Sequence, residues 1–339
     1  MLKQLLRSFV AITCRPLPYQ WLQNLANRKL VVVNYHSIHN SDADPIINQN
    51  PYRTAEAFEQ DLIFFKKHHH LVDLETIINH HRNLTPMPKK SLAITFDDGL
   101  AVVYHTIRPI LLKHGVTATF FINPAFIDQT GLHYKRKINI VTMQMQRHTQ
   151  YQPLIQQILQ EAGILKINTF EAVRQLGHHQ QHLIDQIASL MNLNFDQYLE
   201  ENPIYLTSEQ IKTMIGEGFT FGAHSWDHPD YRYLTLEEQT DQTIRSMQWV
   251  AQNFNLDYKV FAFPYRDFHL KKGLFRNIAP AVDFTFGTHG MVDDVIPYHI
   301  QRTDVERSGL ECQSAMKINY MKYITQALIG KQQLKRQEN

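Results

Sequence analysis

Leu92-Ala93-Ile94-Thr95-Phe96-Asp97-Asp98-Gly99 is the run on which the reading of this chain turns. Residues that suit a buried strand lead straight into two carboxylates, and Gly99 lets the backbone turn sharply behind them. Neighbouring side chains on a strand point to opposite faces, so both acids reach one cavity only if the chain twists as it leaves the strand. Where they do, one carboxylate can hold a metal while the other takes a proton from water. The octapeptide alone fits equally a polar strand end whose acids face solvent.

Working outward, Lys29 to Tyr35 is a β-branched run that reads as a buried parallel strand ending at His36-Ser37. The polar stretch Asn40 to Arg53 reads as a loop, and Thr54 as the cap of a helix carrying Ala57, Phe58, Leu62 and Phe65 on one face. After the acids, a helix over 102–114 that tolerates Pro109 and a strand over 117–122 continue the strand, helix, strand rhythm of an α/β protein. The rhythm stops over 131–205, which is rich in Gln, His and Leu at helical spacing. This segment reads as a helical insertion, either a lid over a substrate or simple elaboration.

The rhythm resumes with Thr207 capping a helix, a strand over 219–223 ending at His224, a helix from Leu236 and a strand over 259–263 followed by Pro264-Tyr265. Strands over 284–286 and 298–302 and a helix from about Gly309 complete it, and the last ten residues read as a frayed tail. Strand after strand ends in His36, Asp97-Asp98, His224, Tyr265 or Arg302. A rim of that kind suits an α/β barrel better than an open sheet with one crevice. The expected divisions are a helical extension at 1–28, a first barrel part at 29–130, the insertion at 131–205, a second barrel part at 206–308, and a helix with a polar tail at 309–339.

With 339 residues and a formal charge of +2, the chain is long enough for a large core and carries no field suited to a polyanion. Cys14 and Cys312 stand in unrelated contexts, which supports neither a disulfide framework nor a cysteine metal site. The apolar run at the N-terminus is broken by Arg7, too short to span a bilayer and poor as a secretory signal. An amphipathic first helix that packs on the domain or touches a membrane surface fits it, so a cytoplasmic or membrane-peripheral placement is expected. No nucleotide fingerprint, phosphate loop or nucleic-acid module is visible, and neither a nucleotide cofactor nor nucleic acid is expected.

The second chemical signal is His224-Ser225-Trp226-Asp227-His228. Two histidines four apart meet only if the strand end turns helically there. With one aspartate they make an N/O donor set suited to zinc, with positions left open for water and substrate. Either histidine alone also fits a structural role. The runs His68-His69-His70 and His178-His179 read as solvated helix ends.

Thr95-Phe96-Asp97-Asp98-Gly99 and His224-Ser225-Trp226-Asp227-His228 together resemble the first two motifs of the polysaccharide deacetylase family, also called the NodB-homology or carbohydrate esterase family 4 domain. Gly115 to Phe121, Leu206-Thr207, Gly218 to His224 and Phe263-Pro264-Tyr265 resemble further family stretches. Tyr35-His36-Ser37-Ile38 resembles the opening strand of a bacterial subgroup acting on surface polysaccharides. The resemblance covers about 30–125 and 205–305. It implies a distorted or incomplete (β/α) barrel of NodB-homology type with a helical insertion. It further implies a divalent metal, most simply zinc, held by Asp98, His224 and His228, with Asp97 as catalytic base. The implied reaction is hydrolysis of an N-acetyl group on an amino sugar in a glycan or lipid-linked saccharide, with the Tyr265 amide helping to hold the developing oxyanion.

Departures are visible too. Ala262 stands where many family members carry the arginine that orients the base, and Arg266 stands where glycine often follows the tyrosine. The late catalytic histidine has two candidates, His289 and His299; strand alternation from Arg302 allows His299 inward in only one register. Arg302 and Arg266 are candidate substrate-facing cations, and Trp226 a candidate sugar-stacking ring. O-acetyl ester hydrolysis by the same groups, or a silent glycan-binding domain, are the rival readings.

Overall fold

The computed structural model describes residues 16–38, 53–82, 84–165, 168–306 and 311–338. Parallel strands β1 (Leu30–Tyr35), β2 (His70–Leu71), β3 (Ser91–Phe96), β4 (Thr119–Ile122), β5 (Thr220–Ala223), β6 (Val260–Ala262), β7 (Phe284–Gly287) and β9 (His299–Asp304) form one sheet. Its order is β1-β9-β7-β6-β5-β4-β3-β2, and β1 also pairs with β3 along its whole length. Seven strands therefore close into a ring. The dwarf β2 pairs with only the first two residues of β3, while β4 takes over at Thr95 and Phe96. The result is a distorted, incomplete barrel of NodB type ringed by helices, as the motif pattern implied.

Alternation along the strands decides what the barrel contains. Val32, Ala93, Phe121, Val260, Ala262, Phe284 and Phe286 share one buried cluster that fills its interior. Their neighbours Val33, Ile94, Phe96, Phe120, Phe221 and Phe261 belong to another cluster, packed under the surrounding helices. The inward parity of β3 thus runs Ala93, Thr95, Asp97, and that of β9 runs Ile300, Arg302, Asp304. His299 has the outward parity.

Local signals act as expected at several helix starts. Thr54 Oγ1 accepts from the Ala57 amide at 3.1 Å ahead of helix Ala55–His68, and Thr207 forms a capping box with Gln210 ahead of Ser208–Gly216. The helix expected over 102–114 opens as a π-turn over Val103–Ile107 before Arg108–His114. Pro109 has no amide hydrogen, and a wider turn before it accommodates the missing bond.

The stretch after β4 is helical, with Tyr134–Arg147, Gln152–Glu161, Thr169–Arg174, Gln181–Leu190 and Phe195–Glu201. Ile138, Val141, Met145, Ile155, Ile184 and Ile187 give these helices a core of their own. A second cluster, including Phe126, Ile140, Leu199 and Tyr205, ties them to the barrel rim. The histidines at 178 and 179 are not solvated ends. His178 Nε2 meets Asp227 Oδ2 at 2.9 Å and His179 Nε2 meets the Tyr233 carbonyl at 2.9 Å, so both clasp the insertion to the loop after β5.

The C-terminal tail is also not frayed. After helix Cys312–Leu328, strand β10 (Gln333–Leu334) pairs in parallel with β8 (Asp293–Asp294), and Arg336 is 6% exposed. Its guanidinium reaches Asp267 Oδ2 at 2.6 Å and Asp294 Oδ2 at 2.8 Å. A polar tail becomes ordered when its charge meets a buried counter-charge far away in sequence, which local composition does not reveal. The expected first helix and most of the loop over 40–53 lie outside the described residues. Among the described residues no helix is long and apolar enough to cross a membrane.

Candidate active site

At the C-terminal ends of the strands lies a cavity of about 440 Å3, lined by Asp97, Asp98, His224, His228 and Tyr265 from the barrel and by residues of the insertion. Its floor follows from strand parity. Asp97 continues the inward face of β3. Asp98 by alternation faces away, but it adopts φ +73°, and Gly99 follows at φ +62°. That left-handed step brings the second carboxylate round to the same cavity. Ser225 (φ +68°), His228 (φ +62°) and Tyr265 (φ +55°) share this uncommon conformation, so backbone strain gathers at the site.

The His224 ring donates from Nδ1 to the Ala262 carbonyl at 2.7 Å, which leaves Nε2 as a lone pair directed at the acids. Nε2 lies 3.6 Å from Asp98 Oδ1, and His228 Nε2 lies 3.2 Å from the same oxygen. Asn123, at the end of β4, donates to the carbonyls of His224 and Ser225 and fixes the motif loop. Burial pushes His224 down to about 4, so its imidazole is neutral near pH 7. Burial opposes ionisation of Asp98, yet His228, His36 and His224 together hold it well below the usual carboxylate range.

This arrangement fits a divalent cation. The ligand atoms of Asp98, His224 and His228 all lie within 4.8 Å of one another. Asp98 Oδ1 is buried, and the groups nearest to it are the two imidazole nitrogens rather than a backbone or hydroxyl donor. A buried carboxylate oxygen beside two imidazole nitrogens is an N/O donor set that a divalent cation between them would satisfy.

Asp97 is held differently. Arg302 forks onto it with Nη1 to Oδ1 at 2.6 Å and Nη2 to Oδ2 at 2.7 Å, and also donates to Thr95 Oγ1 and the Gly287 carbonyl. Burial opposes its ionisation, but Arg302 and His224 keep Asp97 below the ordinary carboxylate range. Position 262 is an alanine, and the arginine bonded to Asp97 comes from β9. Arg302, expected to face substrate, is fully buried and bonded to Asp97 instead.

Other expected residues lie elsewhere. His299, outward on β9, is buried against Phe275 and bonded to Thr285 and to Asp267 Oδ2 at 2.9 Å. Gly287 makes room there, since a Cβ on it would sit 2.5 Å from the Asp267 carboxylate. His289 packs beside Phe268. Neither histidine lines the cavity, because the register of β9 and the turn after β7 place both behind its wall. Trp226 lies under the Arg245 guanidinium at 3.7 Å and against Trp249, and Arg266 is exposed; neither lines the cavity. Tyr265 does line it, with its ring 4.8 Å from that of His228.

The cavity holds histidines that the motifs did not assign. His36 ends β1, and its Nδ1 pairs with buried Glu306 at 2.9 Å. Against the effect of burial, Glu306 and the acid pair raise His36 to about 9. His133, just before the first insertion helix, has its ring 4.8 Å from that of His228. His36 carried a signal, as a polar strand end; His133 carried none.

A second acid and histidine group, Asp267, Asp294 and His299, has metal-like spacing. Arg336 already bridges its two carboxylates. This cluster works as a buried clamp: Asp267 Oδ1 accepts from the Thr288 amide, and Thr288 Oγ1 donates to the Tyr265 carbonyl at 2.7 Å.

Solved structures with the same fold include a Streptococcus pyogenes deacetylase, PplD, in complex with acetate (TM-score 0.53, 16% identity, covering 86% of this chain and 97% of that one). IcaB from Ammonifex degensii is similar to the same degree, with TM-score 0.53, 16% identity and the same coverage of both chains. A de-N-acetylase from Aggregatibacter actinomycetemcomitans has TM-score 0.52 and 13% identity, over 81% of this chain and 94% of that one. No curated protein matches the chain. The family model for polysaccharide deacetylase matches residues 85–285, more than half of the sequence and including both motifs. On that match the chain belongs to the polysaccharide deacetylase family.

Proposed function

We propose that this cavity removes the N-acetyl group from an amino sugar in a bacterial surface polysaccharide or its lipid-linked precursor. Asp98, His224 and His228 would hold the cation, and two imidazoles with one carboxylate suit zinc. The observation that carries the reading is the convergence of both His224 and His228 on the orphaned Asp98 Oδ1. When bound, a divalent cation supplies Lewis acidity toward a carbonyl and lowers the pKa of water.

The chain's own groups do the rest. Asp97 takes the proton of the attacking water at its carboxylate, and Arg302 limits its basicity while fixing its plane. The Tyr265 amide, on a loop clamped through Thr288 and Asp267, contributes a donor where negative charge develops. His36, protonated by its pairing with Glu306, is the acid that returns a proton to the leaving amine. The products are acetate and a sugar amine.

The insertion (131–205) and the two barrel parts (29–130 and 206–308) would act as one catalytic unit. Acetate release from N-acetylated oligosaccharides, with and without chelator, tests the reading. Release that persists both after complete metal removal and in Asp98→Ala would defeat it. Comparing N-acetylated with O-acetylated substrates separates amide from ester hydrolysis.

A further inference from the structure

The cavity has two unlike walls. The barrel side carries Asp97, Asp98 and Asp304; the insertion side carries Lys135, Arg136 and Arg174. We infer that the insertion wall is a subsite for an anionic group, carboxylate or phosphate, borne by the glycan next to its N-acetylated sugar. The inference rests on the deacetylase reading for the cavity and adds a substrate class to it.

Charge pairing separates the two faces of the first insertion helix. Lys137, directed away from the cavity, is ion-paired to Asp185 at 2.7 Å. Lys135 faces the cavity, and its Nζ rests 4.2 Å from the ring centre of Tyr265 and 6.0 Å from that of Tyr134. Arg174 lies 5.8 Å over the Phe170 ring. Among the described residues, no carboxylate comes within ion-pair range of Lys135 or Arg174. Arg136 lines the same cavity but is engaged, 5% exposed and 5.9 Å over the ring of Tyr205.

Across the cavity Asp97 and Asp98 are already committed. Asp97 is bonded to Arg302, and Asp98 faces the two imidazoles. Lys135, half-buried at the cavity wall, and Arg174, exposed at its mouth, are both placed to gain from a ligand anion.

The scale fits a single saccharide. Lys135 touches the Tyr265 ring, and that ring touches the ring of His228. An N-acetyl group beside His228 and an anion beside Lys135 therefore belong to the same or adjoining sugars. A wholly neutral N-acetylhexosamine chain offers Lys135 and Arg174 no counter-charge. Its deacetylated product, an ammonium, would be repelled by the wall, whereas an anion on the substrate offsets that charge.

Equilibrium binding to the metal-loaded Asp97→Asn protein tests the subsite without turnover. The probes are a neutral N-acetylglucosamine tetrasaccharide, a tetrasaccharide alternating N-acetylglucosamine with glucuronate, and an N-acetylglucosamine disaccharide carrying a glycosyl phosphate. The anionic probes are expected to bind about tenfold more tightly at low salt, with the preference shrinking as salt rises. Whichever anion shows the larger preference distinguishes an acidic sugar from a phosphate-linked precursor. Lys135→Gln combined with Arg174→Gln should bring the ratio close to one.

Equal affinity for all three probes overturns the subsite, as does a preference that survives the double substitution. Acetate release by the unsubstituted enzyme is followed separately. If no probe yields acetate, the reaction is misassigned while the binding comparison still stands or falls by itself.

Discussion

Arg302, on the last barrel strand, grips both oxygens of Asp97 at 2.6 and 2.7 Å across more than two hundred residues of sequence. The pair is buried on both sides, with side-chain exposures of 0% and 2%. A planar fork on a carboxylate fixes its orientation as well as its charge. Arg302→Lys should retain the fold but lower kcat about 10- to 100-fold with little change in KM, because an ammonium cannot make two parallel bonds. Arg302→Ala leaves a buried carboxylate unpaired and should cost about 3 to 5 kcal/mol in denaturant unfolding. A kcat equal to the parent in Arg302→Lys would show that the fork has no part in turnover.

Asp97→Asn keeps a hydrogen-bond acceptor in place but cannot take the proton. Turnover should fall by a factor on the order of 100 to 10,000, while the metal bound per chain, measured by elemental analysis, stays near that of the parent. If the metal is lost in parallel, the two adjacent acids have been assigned the wrong way round.

Substitution of His224 or His228 by alanine should act in the opposite sense, lowering metal content first and activity as a consequence. His224 is held by the Ala262 carbonyl, so metal affinity should also drop about 10- to 100-fold if that ring is free to turn. Undiminished metal content in both alanine variants would place the cation elsewhere.

His36 is a proton donor only while protonated, and with Glu306 beside it that state persists up to about pH 9. The alkaline limb of kcat/KM should therefore fall at or below that value, since a cation held at Asp98 would push it lower. Glu306→Gln removes the neighbouring negative charge and should move the limb to lower pH. In His36→Gln the limb should vanish along with most of the rate. A limb that does not move in Glu306→Gln assigns the proton to another group.

The tail clamp makes a separate prediction about stability. Burial opposes ionisation of Asp267, but His299, Arg336 and Gln301 hold it well below its ordinary value of 3.8. A folded-state pKa that is depressed adds stability above the unfolded value, and the gain is lost as pH falls through the folded value. Arg336→Ala should therefore cost about 3 to 5 kcal/mol near neutrality, with the gap to the parent narrowing below pH 3.8. Unfolding curves across that range check it. Because Asp267 also anchors Thr288 and through it Tyr265, kcat should fall as well. Equal stability at neutral pH would mean that the tail is only loosely docked.

The sequence by itself determined the strand rhythm, the two motifs, the helix caps at Thr54 and Thr207 and the break in the barrel after β4. All of these are carried by neighbouring residues, through side-chain alternation, turn chemistry and short spacings. It also placed Asp97, Asp98, His224, His228 and Tyr265 at strand ends, and all five line one cavity. Only the tertiary structure decided which way β9 faces, and hence that Arg302 meets Asp97 while His299 turns outward to Asp267. Only it ordered the tail at Arg336 and set Lys135 of the insertion over Tyr265. Such pairings depend on strand register and on contacts between segments far apart in the chain, where one residue of shift exchanges the two faces and no local pattern records the choice.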